Sequence, residues 1–270
     1  MKIELSVIIV NYNGLKYLKE CFDSLYKTLE GVTHEIIVID NQSKDDSCSY
    51  IKQHYPDINL IESQDNLGFG KGNNEAVKHA KGDYLLLINN DTIVLDNLAP
   101  VLSYIKADKT IGALGIKMLD GNSDYLQSVG RFPDFAGVFR IKNLSKVGAA
   151  LEEGVFTQTS YEVDWLSGSF LLIPKKVYDE VGGFDEDYFM YVEDVDLGKK
   201  ISDKGYKRVF LPSYSYIHFV GFNKARNPLL IKGYKIYINK HHSGIEAMKL
   251  KMALKANALV KRLKTTLKLD

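Results

Sequence analysis

The side chains best placed to do chemistry stand where apolar runs stop. Tyr84-Leu85-Leu86-Leu87-Ile88 breaks abruptly into Asn89-Asn90-Asp91. A carboxylate there can hold a hard divalent cation and leave the other coordination positions to water and phosphate oxygens. In an extended segment Asn89 and Asp91 share a side, about 7 Å apart along the chain. A plainer reading stays open, a strand ending in a turn, because Asn and Asp are ordinary turn formers. A second set of acids, Glu193, Asp194 and Asp196, falls at the start of a helical stretch, where the helix dipole alone would favour them. His218 follows Tyr216-Ile217, and by itself it reads as a structural histidine or as a metal ligand.

Elements must bring these residues together. Leu5 to Val10 reads as a buried strand that ends in Asn11-Tyr12-Asn13-Gly14. Leu15, Leu18, Cys21, Phe22, Leu25 and Leu29 then recur at helical spacing up to Gly31. His34 to Asp40 is a second strand, a helix follows over 45–54, and a short strand covers Ile58 to Glu62. This β-α-β-α-β order predicts a parallel, doubly wound α/β sheet flanked by helices. Right-handed crossovers gather the strand ends on one edge, so Asn11, Asp40 and Asp91 should converge there.

Asn66-Leu67-Gly68-Phe69-Gly70-Lys71-Gly72 precedes a helix. It is neither a Walker loop, lacking Gly-Lys-Ser/Thr, nor the dinucleotide pattern, which follows the first strand. Backbone pressed against a neighbour or a tight helix start explains its glycines equally well. Further on, the pattern predicts a helix over 95–106 and a strand over 111–118. Residues 120–163 carry aromatics with Gly and Pro but no clean period, as functional loop regions often do. A single strand is expected over 163–174, then a helix begun by Pro174, a helix running to about Lys204, and a strand over 206–211.

At 270 residues and 45% hydrophobic, the composition is that of an ordinary globular chain. Two cysteines, Cys21 and Cys48, have no ligand spacing, and a reducing compartment fits them. The first ten residues hold too short an apolar run for a signal peptide, and no run approaches the 18 residues of a membrane span. A cytoplasmic location is therefore expected. Charge is uneven. Seven Lys or Arg stand against one acid over 248–270, a net +6, which leaves −5 for the rest of a chain whose total is +1. Met252, Ala256, Leu259, Val260, Leu263 and Leu267 form a stripe on that basic segment. Such a helix can lie on an anionic membrane surface, here the inner face of the cell membrane; packing on the body or on the second subunit of a homodimer is the alternative. No nucleic-acid partner is expected.

Taken together and in order, Ser6 to Gly14, Val38 to Ser43, Asn66 to Phe69, Leu87 to Thr92, Trp165 to Ser169, Gly183 to Glu186, Glu193 to Asp196 and His218 resemble the family 2 glycosyltransferases of GT-A fold, most closely their rhamnosyltransferase-like branch. The resemblance spans roughly residues 3–225. It implies a GT-A domain over 1–225, with a nucleotide-binding half to about 118 and an acceptor half over 119–225, followed by a helical extension over 226–270. It implies that Asp40 accepts from the pyrimidine N3–H of the donor, with Asn11, Tyr12 and Asn13 at the base and ribose and Asn66, Gly68, Lys71 and Asn90 bordering the nucleotide. Asp91 and His218 would hold Mg2+ or Mn2+. Asn89 replaces the first acid of the family's Asp-X-Asp motif, leaving one less negative charge on the metal. Asp194, paired with Glu193, would be the general base, and Trp165, Leu166, Ser167 and Gly168 would shape the sugar site.

The chemistry suits those residue types. A sugar leaving a nucleoside diphosphate needs its developing negative charge stabilised, and the attacking hydroxyl needs a carboxylate to take its proton. One displacement that inverts the anomeric centre requires no second nucleophile. The implied donor is a dTDP- or UDP-sugar, with dTDP-rhamnose first, and the implied acceptor is a glycan or lipid-linked saccharide in cell-surface polysaccharide synthesis. A non-catalytic sugar-nucleotide-binding module is a second reading, against which Asp91 and Asp194 speak. A sugar nucleotidyltransferase is a third; it calls for a basic Gly-rich loop after the first strand, and Asn11-Tyr12-Asn13-Gly14 is not one.

Overall fold

Alternating aliphatic residues in the first and fourth strands bury both faces of the sheet, and helices cover each face in turn. The computed structural model describes residues 2–219 and 226–266, with side chains over 2–219 and 228–261. Its strands are β1 (Leu5–Asn11), β2 (His34–Asp40), β3 (Asn59–Glu62), β4 (Tyr84–Asn89), β5 (Thr92–Val94), β6 (Ile111–Leu119), β7 (Tyr125–Leu126), β8 (Val129–Gly130), β9 (Tyr161–Glu162), β10 (Trp165–Leu166), β11 (Phe170–Pro174) and β12 (Lys207–His218). Its α-helices are α1 (Leu15–Thr28), α2 (Ser47–His54), α3 (Phe69–Val77), α4 (Ala99–Ala107), α5 (Phe135–Phe139), α6 (Ala149–Glu153), α7 (Lys175–Glu180), α8 (Glu193–Asp203), α9 (Arg226–His241) and α10 (Gly244–Thr266).

The main sheet runs β3-β2-β1-β4-β11-β6-β12-β5. Strands β3, β2, β1 and β4 are parallel, as the βαβ pattern requires. β11 enters antiparallel to both β4 and β6, so β6 and its parallel neighbour β12 again point the way of β4. Val7 and Ile9 face a core with Leu18, Phe22 and Leu25 of α1 and Val101 and Leu102 of α4. Ile8, Leu85 and Leu87 face the other, with Ala76 of α3, Val177 of α7 and Leu197 of α8. A third cluster joins Val192 and Val195 to Tyr237 of α9 and Leu250 of α10, which binds the C-terminal helices to the body.

Several expectations change. The strand expected over 163–174 is two, because Ser167-Gly168-Ser169 turns between β10, paired with β8, and β11. The strand expected over 206–211 runs on to His218, and its far end pairs with β5. Helix α4 starts at Ala99 rather than Leu95: Thr92–Val94 is taken into the sheet, and the Asn97 Oδ1 accepts from the Ala99 N–H. Between 120 and 163 lie two-residue strands and one-turn helices. In α10 the buried residues are Ala247, Leu250, Ala253, Leu254 and Asn257, whereas Met252, Leu259 and Val260 of the expected stripe are exposed. One face of the helix therefore packs on the body, as the alternative expects, and the other leaves those apolar side chains exposed. The expected boundary at 225 and residue Leu267 lie outside the described residues, as does the side chain of Leu263.

Candidate active site

Of the three residues expected to converge at the sheet edge, Asn11 and Asp40 are joined by a hydrogen bond, and the third strand end reaches them through Asn90 rather than Asp91. Asn11, at the end of β1, donates from Nδ2 to Asp40 Oδ2 (2.7 Å) at the end of β2. Its Oδ1 accepts from Asn90 Nδ2 (2.7 Å), just past β4. Asp40 is buried, and its Oδ1 accepts from the Ser43 N–H (2.8 Å). Three strand ends are thus linked through one amide. Asn13 adopts a left-handed φ of 51°; its N–H reaches Ser43 Oγ and its Oδ1 accepts from the Lys44 N–H. Tyr12 is exposed beside them. Across the next loop Asn66 Oδ1 accepts from the Gly68 N–H (3.0 Å), and the Gly68 carbonyl accepts from Asn41 Nδ2. Gly68 has φ 77°, and a Cβ there would collide with the Phe189 carbonyl. Lys71 turns instead to Glu186, 3.9 Å away, with both side chains well exposed.

A cavity of about 410 Å3 opens next to this edge. Asp91 and His218 meet on one wall because β5 and β12 pair with Thr92 opposite His218. His218 Nε2 lies 3.1 Å from Asp91 Oδ1 and 3.1 Å from Asn89 Nδ2. A proton on Nε2 would serve the carboxylate, and a lone pair would serve the amide N–H, but one nitrogen cannot offer both. A divalent cation held by both side chains would remove that conflict, as would turning the Asn89 amide over. Two ligand atoms 3.1 Å apart are close to adjacent corners of a polyhedron with bonds of about 2.1 Å. The donor set fits Mg2+ or Mn2+: one carboxylate, one imidazole, and an amide oxygen if Asn89 turns over. Among the described residues no three His, Cys, Asp or Glu side chains cluster as a metal site, so water or a ligand must complete any coordination sphere.

The first turn of α8 also lines the cavity. It follows two consecutive left-handed residues, Tyr191 (φ 70°) and Val192 (φ 77°), the second β-branched and therefore strained. Asp194 accepts from the Gly168 N–H at Oδ2 (3.2 Å) and from the Val195 N–H at Oδ1. Glu193 is 6% exposed and its Oε2 has no hydrogen-bond partner. Burial, helped by the Asp194 charge, pushes its carboxyl up to about 8. Of the two adjacent acids, Glu193 is the one whose burial favours the protonated form. Trp165, Ser167 and Gly168 line the cavity as expected, and Trp165 Nε1 donates to the Arg131 carbonyl (3.0 Å). Leu166 does not line it. Strand alternation turns that side chain into the core, against Gly115 and among Val129 and Phe210.

The structure adds Phe69, Ser169, Gln127, Ser128, Met190 and Tyr191 to the lining. Ser169 Oγ is 2.6 Å from the Tyr216 hydroxyl. Phe69 and Ser169 belong to motifs already visible in the sequence. Gln127 and Ser128 come from the irregular segment and carry no sequence signal. Asn11, Asn13, Asp40, Asn66 and Lys71 lie outside this lining.

A family model described as glycosyl transferase family 2 matches residues 6–166. Rhamnosyltransferase WbbL of Escherichia coli K12 is 32% identical over 228 residues, covering 79% of this chain and 82% of that protein. An N-acetylglucosaminyl-diphospho-decaprenol L-rhamnosyltransferase of Mycobacterium tuberculosis is 28% identical, covering 89% and 85%. Among solved structures, GalNAc-T7 with UDP, GalNAc and Mn2+ superposes with a TM-score of 0.67 at 21% identity, over 87% of this chain and 47% of that one.

Proposed function

The chain belongs to glycosyl transferase family 2, is a rhamnosyltransferase-like glycosyltransferase of GT-A fold, and on that premise we propose that it moves rhamnose from dTDP-rhamnose to a lipid-linked saccharide, with inversion. The observation that carries the reading is one cavity lined both by Asp91 and His218, 3.1 Å apart, and by the carboxylate of Asp194. The acceptor hydroxyl oxygen attacks the anomeric carbon as its proton passes to Asp194. The bond from that carbon to the diphosphate oxygen breaks, and the nucleoside diphosphate leaves. A divalent cation, when bound by Asp91 and His218, supplies positive charge to the leaving diphosphate.

Glu193, whose burial favours the protonated form, can donate a hydrogen bond to substrate and is the poorer proton acceptor of the two adjacent acids. Asp40 already accepts two hydrogen bonds, but each carboxylate oxygen has a second lone pair, so its role towards a pyrimidine N3–H is retained. Trp165, Ser167 and Gly168 give the sugar an apolar face and a polar rim. The lipid-linked acceptor is supported by the name of the mycobacterial relative, an N-acetylglucosaminyl-diphospho-decaprenol L-rhamnosyltransferase. It is supported also by the outer face of α10, where Ile245, Met248, Met252 and Leu259 are exposed among Lys249, Lys251 and Lys255, the pattern of a helix lying on anionic lipid.

A UDP-sugar is the second donor reading, because GalNAc-T7 is solved with UDP. A thermal-shift panel of dTDP- and UDP-sugars with and without Mn2+, followed by nucleoside diphosphate release, tests both. Stabilisation by dTDP-rhamnose only with cation supports the first donor. Equal turnover by wild type and Asp194→Asn would remove the assignment of the base.

A further inference from the structure

Helix α9 reads in sequence as part of an extension, yet it grips the segment that carries the base at three places. The segment is 185–196, and its weak point is the pair of left-handed residues Tyr191 and Val192 just before α8. Such a conformation persists only where the surroundings over-determine it.

Gly233 of α9 meets that turn directly. A Cβ on Gly233 would lie 2.7 Å from the Tyr191 carbonyl oxygen and 3.0 Å from Val192 Cβ, so only glycine fits. Two turns on, His241 Nε2 donates to Asp196 Oδ1 across 2.7 Å. Asp196 is 1% exposed, stands two residues beyond Asp194, and also accepts from the Tyr188 hydroxyl at 3.2 Å. The Tyr237 ring lies 4.5 Å from the His241 ring and is itself buried, so it packs against the imidazole. Lys240 fastens the near end of the segment, pairing with Asp185 and, at 3.0 Å, with Asp187. These contacts hold both ends and the strained middle of 185–196. None of the gripping residues lines the cavity.

We propose that α9 is a brace for the general base: Gly233 and His241 are positioning residues that hold the Tyr191–Val192 turn and the first turn of α8, and so place Asp194 against the acceptor. This rests on the assignment of Asp194 as the base. His241 acts through Asp196, which shares the first helical turn with Asp194, and Gly233 acts through the strained turn from which that helix starts.

The test uses the full chain and three variants, His241→Ala, His241→Gln and Gly233→Ala, with Asp194→Asn as reference. Hydrogen exchange of peptides covering 189–198 is read by mass spectrometry without any ligand. Exchange there is expected to quicken in His241→Ala and Gly233→Ala, to return towards wild type in His241→Gln, and to stay unchanged in β1, β2 and β4. In nucleoside diphosphate release, kcat should fall about 10²-fold, the effect of moving a reacting group by about 1 Å, with the KM for the donor unchanged. Unaltered exchange over 189–198, or a rise spread over the whole sheet, overturns the brace. So does a loss of donor affinity equal to the loss of kcat. If Asp194→Asn keeps full activity, the base assignment fails instead, and the exchange result stands apart from it.

Discussion

Replacing Glu193 by Gln separates the two neighbouring acids by their response to pH. Glu193 is 6% exposed, one of its oxygens has no partner, and burial with the Asp194 charge raises its carboxyl from 4.5 to about 8. In the unfolded chain the same group ionises near about 4.3. Below that pH both states carry the proton, and the shift costs no stability. Between there and about 8 the unfolded chain releases the proton while the folded one keeps it, so stability falls as pH rises. Above about 8 both states are ionised and the loss is complete. At about 1.4 kcal/mol per pH unit, the ceiling on this loss is on the order of 5 kcal/mol.

Gln keeps the shape and cannot ionise, so Glu193→Gln should cancel the slope. Urea unfolding at pH 5, 6.5 and 8.5 reads this, followed by the fluorescence of Trp165, the one tryptophan in the chain. The variant should gain on wild type by roughly 2–5 kcal/mol between the lowest and highest pH. Any constant offset from the buried amide cancels in that comparison. Glu193→Gln should also retain much of its turnover, while Asp194→Asn loses about 10²–10⁴-fold. Parallel stability curves would show that Glu193 ionises normally. A Gln variant as inactive as Asp194→Asn would transfer the base role to Glu193.

Gly68→Ala should cost about 2–5 kcal/mol, because a left-handed φ and a collision with the Phe189 carbonyl combine; urea unfolding measures it. Asp91→Asn and His218→Ala should each abolish the extra thermal stabilisation that Mn2+ gives in the presence of a nucleoside diphosphate, leaving the cation-free melting temperature within a few degrees. Met248→Glu combined with Met252→Glu, on the exposed face of α10, should reduce co-flotation with anionic liposomes while leaving soluble nucleotide binding intact. Undiminished flotation would remove the lipid surface from the proposal.

The edge formed by the ends of β1, β2 and β4 was legible because these strands carry aliphatic runs that stop at Asn11, Asp40 and Asn89, and buried parallel strands leave such a trace. Asp91, His218 and Asp194 were recognised by type and order, and the structure gathers them in one cavity. The lining from 125–130 was not legible. A two-residue strand has no period, and Gln127 is fixed by bonds to the Val129 and Ser145 carbonyls, which no local pattern announces. Leu166 was misplaced because a motif shared by neighbours does not say which side of a two-residue strand faces inward. The stripe on α10 was read correctly as apolar, but a second buried face on the same helix, centred on Leu250 and Leu254, packs the body.

The reversal of β11 within an otherwise parallel sheet has a further consequence. Because it runs backwards, the turn that precedes it, not the one that follows, arrives beside the end of β4, where the Asn89 N–H donates to the Ser169 carbonyl (3.2 Å). The long excursion between β6 and β11 can therefore be exchanged for one of another length and shape without re-threading β1, β2 and β4. For the proposed transfer, a change of acceptor would be sought by substituting that single continuous cassette, with the first four parallel strands left as they are.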